Sequence, residues 1–281
     1  MNPAVAHNID LHSHTAYSDG RLSVTELLAH AQKYGVTTLA ITDHDSVAAH
    51  LEIEQAGLNN QAIKVIPGLE VSCQYGNREI HVVGLNVDIH HPQLVSFVAQ
   101  QQHKRRERLQ LYAEKLESLG LEGIVEAVGG LTAESVTRAH LAQILVSKGY
   151  VPDNARAFKR YLGRKGRAHV KAEWPSLAET VAMITAAGGV AVIAHPGRYQ
   201  LSRKQLLALM TEFADAGGQG IELSYPNADK ALIRWLTEQA LSLDLCASQG
   251  ADFHNPEWQW VKPGHFPPLP NSVEPVWSLW Q

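Results

Sequence analysis

The sequence predicts an α/β fold in which strands alternate with helices along the chain. Short apolar runs of four to eight residues recur, and amphipathic segments with helix-start signals separate several of them. The chain has 281 residues, of which 45% are hydrophobic, so it can bury a sizeable core. This alternation favours parallel strands, and is typical of an α/β barrel or a doubly wound sheet.

The predicted strands are the short apolar runs bounded by turn residues. They cover residues 8–13, 37–42, 63–69, 80–87, 190–194, 219–224 and 243–250. Three helices between them should begin with a capping box, in which a serine and a residue three positions later satisfy free backbone N–H groups. The pairs are Ser23 with Glu26, Ser176 with Glu179, and Ser202 with Gln205. Glycines that end helices are expected at Gly35, Gly188 and Gly217.

Residues 98–172 interrupt the alternation, because they contain no convincing strand and resemble several helices. This segment carries 14 Lys and Arg against 7 Asp and Glu, a net charge of +7 within a chain of net charge −4. We therefore expect a body formed by residues 1–97 and 173–281, with a basic helical insertion at 98–172. The insertion is either a solvated subdomain or a lid that brings positive charge to an anionic substrate.

Composition excludes several classes of protein. The chain has only two cysteines, which argues against a disulfide scaffold and against thiolate metal sites. Neither a signal peptide nor an apolar run of membrane-spanning length is present, so we expect a cytoplasmic protein that binds no membrane. The Trp- and Pro-rich tail after residue 255 is expected to pack over the body; an aromatic platform for nucleic acid is the less favoured alternative. Nothing in the sequence indicates a protein partner.

Potential metal ligands follow the predicted strands at their carboxyl ends, where α/β proteins assemble their sites. They are His12, His14, Asp19, His44, Glu70, His81, His195, Asp252 and His254. Asp43 and Asp45 flank His44 and are expected to orient it, although Asp43 could equally cap a turn. Glu222, within "GIELS", could support a ligand or bind substrate.

Six imidazoles and three carboxylates are too many for one ion. About four ligands per ion, with a position left for water, suggest two or three divalent cations. Nitrogen and oxygen ligands without thiolate suit Mn²⁺, Fe²⁺ or Zn²⁺. Several such ions together lower the pKa of a bridging water and neutralise phosphate oxygens, which is the chemistry of phosphoester hydrolysis. Neither a phosphate-binding Gly-rich loop nor a serine nucleophile motif is present.

The order of these motifs resembles that of the polymerase and histidinol phosphatase (PHP) family. The resemblance rests on "DLHSHTAYSDG", "AITDHDS", "PGLEVS", "IHVVG", "AHPGR" and "GADFH", and it spans nearly the whole chain. It implies a distorted (β/α)7 barrel, similar to a TIM barrel, with a trinuclear metal centre. It also implies that the catalytic group is a hydroxide held between the metal ions.

The resemblance also implies how the ligands divide among three ions, with Mn²⁺ the preferred metal. One ion would be held by His12, His14 and Asp252, with Glu70 bridging it to a second. The second ion would also take His81 and His195. The third would be held by Asp19, His44 and His254.

Within the family, a compact body with a helical insertion looks like a bacterial branch that acts on nucleotides. Its members resemble nucleoside 3′,5′-bisphosphate phosphatases and 5′→3′ exoribonucleases, so the implied partner is a nucleotide or an RNA 5′ end. Arginine is well shaped to grip a phosphate with two hydrogen bonds. The candidate substrate-binding residues are Arg138, His140, Arg164, Lys165, Arg167, Arg198 and Tyr199.

Two alternatives remain open at the level of sequence. A histidinol phosphatase would use the same chemistry on a small amino alcohol, would not need the basic insertion, and would keep its activity without Arg138. A non-catalytic PHP module that binds nucleic acid would hydrolyse nothing, and replacing His14 would change only its stability or binding.

Overall fold

A computed structural model describes residues 8–58 and 62–280 of the chain. Seven strands lie side by side in sequence order in one sheet. They are β1 (Ile9–Asp10), β2 (Thr38–Ile41), β3 (Lys64–Tyr75), β4 (Arg78–Leu85), β5 (Val190–Ile193), β6 (Gly220–Ser224) and β7 (Cys246–Gln249). The first predicted strand, 8–13, is therefore reduced to two residues, and the third extends six residues beyond its predicted end.

The sheet is parallel except around β4, where the expectation of parallel strands is wrong. β4 runs antiparallel to both β3 and β5. The reason is local, because only Gly76 and Asn77 separate β3 from β4, and a two-residue turn joins antiparallel strands. Gly76 has a φ of 57°, a conformation that such turns require and that glycine adopts without strain.

The sheet curls into a nearly closed barrel, which confirms the expected distorted (β/α)7 architecture. Its two edge strands meet through backbone hydrogen bonding, since Leu11 N lies 3.0 Å from Gln249 O. The Gln249 side chain adds a bond of 2.6 Å to Ile9 O. A buried cluster that includes Leu11, Ile66 and Val276 links the strands to the C-terminal tail.

Nine α-helices connect these strands or form the insertion within the described residues. They are α1 (Val24–Lys33), α2 (Ala48–Gln55), α3 (Pro92–Ser118), α4 (Ile124–Gly129), α5 (Arg138–Ser147), α6 (Asn154–Ala157), α7 (Leu177–Ala186), α8 (Arg203–Asp215) and α9 (Lys230–Ser242). A π-helical turn spans Phe158–Leu162, and 3₁₀ turns span Pro196–Tyr199 and Val276–Leu279. No helix of residues 8–58 and 62–280 is long and apolar enough to cross a membrane.

The helix starts follow the predicted local chemistry. Capping boxes form at Ser23, Ser176 and Ser202, as expected. The three predicted glycines adopt left-handed φ values of 73° to 90° just after α1, α7 and α8. A fourth capping box at Thr137 was not predicted, because its partner is His140 rather than Glu or Gln.

The insertion has a hydrophobic core of its own. Sixteen buried residues between Leu109 and Val170 form a cluster separate from those of the barrel. The predicted boundary at residue 98 falls inside α3, which starts at Pro92 and contributes Leu94 and Val98 to the barrel core. One continuous helix therefore ties the insertion to the barrel, and the two-part division of the chain stays a prediction.

Candidate metal centre

The nine predicted ligands converge on one cluster at the end of the barrel. Most sit in the loops after the parallel strands, while His81 lies within β4 opposite Ser72 of β3. Six of the nine are buried, and Asp19, His81 and His254 are partly exposed. The cluster is thus open to solvent on the side formed by those three residues.

Glu70 lies at the centre of the cluster and contacts imidazoles with both carboxylate oxygens. Its Oε1 is 2.9 Å from His81 Nδ1 and 3.0 Å from His195 Nε2. Its Oε2 is 3.0 Å from His44 Nδ1. A carboxylate that presents its two oxygens to different imidazoles is suited to bridging two cations.

A second group surrounds the pair of histidines after β1. The Nε2 atoms of His12 and His14 each lie 3.4 Å from Glu70 Oε2. They lie 3.3 and 3.2 Å from Asp252 Oδ1. Ligands that surround one ion tetrahedrally at about 2.1 Å are about 3.4 Å apart. The four atoms therefore have the mutual spacing of one coordination shell.

A third group lies toward the open side. His254 Nε2 is 3.2 Å from Asp19 Oδ1, and His44 Nε2 is 3.8 Å from Asp19 Oδ2. One ligand atom from each of these residues and one from His14 lie within 4.8 Å of one another. His14 is thus shared between two groups, and His44 also joins Glu70 and His81. How the ligands divide among ions stays a prediction.

Orphaned polar atoms show that the cluster fits cations. Buried polar atoms almost always have a hydrogen-bond partner. Among the described residues, seven buried side-chain atoms of this cluster have none. They are His12 Nε2, His14 Nε2, Asp19 Oδ1, His44 Nδ1, Glu70 Oε2, His195 Nδ1 and Asp252 Oδ1. Lone pairs of this kind, supplied by imidazole and carboxylate without thiolate, suit divalent cations.

The electrostatics keep the carboxylates ionised. Burial alone would raise the pKa of Glu70, but the surrounding imidazoles hold it well below its usual range, and Asp19 behaves likewise. Burial disfavours the charged form of His81, yet the carboxylates beside it raise its pKa to about 10; for His254 the value is about 9. Burial and neighbouring imidazoles lower the pKa of His14 to about 3, which keeps the imidazole neutral with one ring nitrogen free to bind a cation.

Glu222 supports two candidate ligands through hydrogen bonds. Its Oε1 lies 2.7 Å from His12 Nδ1, and its Oε2 accepts a 2.6 Å bond from His195 N. The bond to Nδ1 orients the His12 ring, so that Nε2 faces Glu70. Sequence left the role of Glu222 open; the signal was a carboxylate inside an otherwise apolar buried strand.

Asp43 and Asp45 were expected to orient His44, but their side chains bind other residues. Asp43 accepts hydrogen bonds of 2.6 Å from the hydroxyls of Thr15 and Ser18, and so shapes the loop after His14. Asp45 binds Arg105 of α3 at 2.6 Å. Both carboxylates therefore fix the backbone around the cluster, and Asp45 also anchors the insertion.

Close backbone approach and unusual conformations accompany the ligands. A Cβ on Gly250, the residue just after β7, would lie 2.3 Å from His12 Cβ, so only glycine allows the backbone to pass beside the first ligand. His195 and Asp252 have φ values of 28° and 51°. Non-glycine residues hold such conformations at a cost of about 1–3 kcal/mol, and they cluster at functional sites.

The candidate substrate-binding residues fall into distinct environments. Arg138 lines a cleft beside the cluster and pairs with Glu79 Oε1 at 2.8 Å. Arg164 lines the adjoining cleft together with Arg138. Lys165 and Arg167 are exposed, and neither lines a cleft described here.

The other three candidates already have partners within the protein. His140 Nδ1 accepts a 3.0 Å bond from Thr137 N in the capping box. The Tyr199 hydroxyl donates to Ala194 O at 2.7 Å, a contact that fixes the turn after β5. Arg198 pairs with Asp252 and keeps two-fifths of its side chain exposed.

Sequence reasoning missed Glu79, which holds the arginines next to the cluster. Its carboxylate binds Arg138 at 2.8 Å and Arg108 at 3.1 Å, and lies 3.8 Å from His81 Nε2. Burial opposes its charge, but Arg138 and the other cations hold its pKa well below the usual range. Its only sequence signal was its position two residues before His81 on β4.

Comparisons with known proteins agree with this geometry. The PHP domain model matches residues 10–170. The chain is 42% identical to an Escherichia coli 5′-3′ exoribonuclease, covering 97% of this chain and 93% of that protein. It is 35% identical to a Chromobacterium violaceum 3′,5′-nucleoside bisphosphate phosphatase, covering 96% and 95%.

A solved structure is also similar. It is a Chromobacterium violaceum protein described as an amidohydrolase, with bound sulfate and no metal. It superposes with a TM-score of 0.88 at 35% identity, covering 96% of this chain and 95% of that one. Together with the matched family model and the cluster geometry, this shows that the chain belongs to the PHP domain family.

Proposed function

We propose that this protein is a metal-dependent phosphoesterase that removes nucleotides from 5′-phosphorylated RNA ends and hydrolyses 3′,5′-bisphosphate nucleotides. The observation that carries the proposal is the cluster of orphaned imidazole and carboxylate atoms beside an arginine-lined cleft. The similarity to an exoribonuclease and to a bisphosphate phosphatase supports the same substrate class. Cellular RNA as a substrate implies action in the cytoplasm.

Two or three divalent cations, with Mn²⁺ preferred over Fe²⁺ or Zn²⁺, would be held by the nine cluster residues. Bound there, such ions supply an activated water and neutralise phosphate oxygens. Glu70 lies between the imidazole groups and keeps them at fixed spacing. Glu222 holds the ring of His12 so that its free nitrogen faces the cluster.

Besides the cations, the reaction needs residues that hold a phosphate that is not being cleaved. The arginine-lined cleft supplies them. Arg108 and Arg138 both bind Glu79, which holds their guanidinium groups beside the metal cluster. Guanidinium groups bind phosphate with paired hydrogen bonds. A terminal 5′-phosphate in this cleft would leave the next phosphoester bond at the cluster.

The test compares three substrates with Mn²⁺-loaded protein. We expect turnover of adenosine 3′,5′-bisphosphate and of a 5′-phosphorylated oligoribonucleotide, with much slower turnover of the matched 5′-hydroxyl oligomer. His14→Ala, which removes a candidate ligand, should abolish turnover of both phosphorylated substrates. The proposal is wrong if the wild-type protein hydrolyses neither of them.

The same assay, with histidinol phosphate as a fourth substrate, decides between the alternatives. A histidinol phosphatase would prefer histidinol phosphate, and Arg138→Gln would leave that activity intact. A non-catalytic module would hydrolyse none of the substrates, and His14→Ala would change only its stability or binding. On our proposal, Arg138→Gln should lower kcat/KM for the 5′-phosphorylated oligomer.

A further inference from the structure

The metal cluster lies where two clefts of different character meet. Both clefts are lined by Asp19 and Ala139. On one side lies the arginine-lined cleft already described. On the other lies a cleft of about 540 Å³ whose walls include Tyr225, Trp258 and Trp260. A polymer cleaved at the cluster would therefore have a cleft with three arginines on one side, where Tyr112 and Trp174 are buried, and a cleft with one arginine, Arg198, and an exposed indole on the other.

Aromatic rings lead from the cluster into the second cleft. The ring centroids of His14 and His254 are 4.0 Å apart, and those of His254 and Trp258 are 6.2 Å apart. The indoles of Trp258 and Trp260 follow at 6.2 Å and lie within 10° of parallel. The series joins a candidate metal ligand to an exposed indole in three steps.

Packing does not explain the last ring of the series. Trp260 is 66% exposed, the largest fraction among the exposed large hydrophobic residues of the described chain. Two other tryptophans of the tail, Trp277 and Trp280, instead pack against a barrel core cluster. An exposed indole held parallel to a second one beside a reactive site is suited to binding a flat ligand.

We propose that Trp258 and Trp260, the tryptophan platform, bind the nucleobase of the nucleotide that follows the scissile phosphate. This inference rests on the proposed function. With the 5′-phosphate in the arginine-lined cleft and the scissile phosphate at the cluster, the downstream nucleotide enters the second cleft. Every base has a π face, so stacking there binds RNA without selecting its sequence.

The platform gives the protein a preference for RNA chains over mononucleotides. A 3′,5′-bisphosphate nucleotide has one base and no downstream nucleotide to place on the platform. An oligoribonucleotide also has a downstream nucleotide, whose base can stack on the platform. Base–aromatic stacking typically strengthens binding by about tenfold or more. The platform should therefore raise the ratio of activity on oligoribonucleotides to activity on 3′,5′-bisphosphate nucleotides.

The test measures kcat/KM of Trp260→Ala on a 5′-phosphorylated oligoribonucleotide and on adenosine 3′,5′-bisphosphate. We expect the ratio of oligomer to mononucleotide activity to fall about tenfold. Trp260→Phe, which keeps an aromatic face, should restore most of it. Leu111→Ala, at an apolar residue of α3 that is 50% exposed and outside these clefts, serves as the control and should leave both activities unchanged.

A modified substrate makes the test specific to stacking. An oligomer that lacks the base of its second nucleotide should be a poorer substrate for the wild type by a similar factor, while Trp260→Ala should no longer distinguish it from the intact oligomer. If the variant loses both activities equally, or still distinguishes the two oligomers fully, the platform does not bind this base. A wild-type protein inactive on every substrate would instead refute the proposed function.

Discussion

At the scale of single residues, the candidate site depends on side chains that are not themselves candidate ligands. Glu222 is fully engaged, with one oxygen toward His12 and the other toward the backbone of His195. Such a carboxylate behind a histidine ligand fixes its tautomer and raises its basicity. Glu222 is therefore a positioning residue whose effect should be measurable as metal affinity.

Replacing Glu222 with glutamine should weaken metal binding by about 10–100-fold. His12 Nδ1 and His195 N face different oxygens of Glu222, and the amide replaces one of these acceptors with an NH₂ donor, so one of the two contacts is lost. A competition titration against a chelator measures the Mn²⁺ affinity of the variant. Glu238→Gln, at an exposed position on α9, is the matched control and should bind as the wild type does. Equal affinities for wild type and Glu222→Gln would contradict the positioning role.

Metal affinity should also rise with pH. Without metal, the neighbouring carboxylates overcome burial and raise the pKa of His81 to about 10 and that of His254 to about 9. Both imidazoles thus hold a proton at neutral pH that a cation must displace, so binding releases protons. Mn²⁺ titrations at several pH values between about 6.5 and 8.5 should show a falling Kd. Calorimetry in buffers of different ionisation enthalpy should show net proton release, and a pH-independent Kd would refute this.

At the scale of elements, the starts of helices could be predicted from the sequence, but the direction of β4 could not. Three capping boxes were predicted from serine and a residue three positions later, because that chemistry is contained in four residues. The antiparallel direction of β4 depends on the turn at Gly76 and Asn77. The alternation of helices and strands in the rest of the chain favoured parallel strands, and this short turn was not recognised against it. The positive φ of 28° at His195 could not be predicted, since no glycine in the sequence marks that position.

The junction between α3 and the barrel depends on Arg105. This side chain is 7% exposed and donates 2.6–2.7 Å bonds to Asp45 and to the Ser72 hydroxyl. Arg105→Ala would leave the Asp45 carboxylate buried without its partner, so we expect the free energy of unfolding to fall by about 3–5 kcal/mol. Urea denaturation measures this change.

Two further variants make the Arg105 measurement decisive. Arg156→Ala, at an exposed arginine of α6, should change stability by about 0.5 kcal/mol or less. Combining Arg105→Met with Asp45→Asn removes both charges, and should cost less than Arg105→Ala alone. If Arg105→Ala costs no more than Arg156→Ala, then this ion pair does not anchor the insertion.

At the scale of the whole molecule, the cluster was predictable because most of its ligands follow the carboxyl ends of parallel strands, and Glu70 and His81 lie within β3 and β4. Parallel strands end at one edge, so residues as distant in sequence as His14 and Asp252 are brought within 3.2 Å of each other. The surroundings were less predictable, because Glu79 and Glu222 gain their roles only through partners on other elements. The same holds for Trp260, whose exposure no periodicity reveals.

The uneven distribution of charge should make activity on RNA sensitive to salt. Residues 98–172 carry a net charge of +7, although the whole chain is at −4. Each cation that contacts a phosphate of a single strand contributes about −0.7 to the slope of log affinity against log salt. Arg164 lines the cleft that adjoins the arginine-lined cleft, so Arg164→Gln should make the slope of log kcat/KM for a 5′-phosphorylated oligomer shallower by about 0.7. Lys148→Gln, an exposed cation of the same insertion outside the clefts, should leave the slope unchanged; equal slopes for all three proteins would exclude Arg164 from the RNA path.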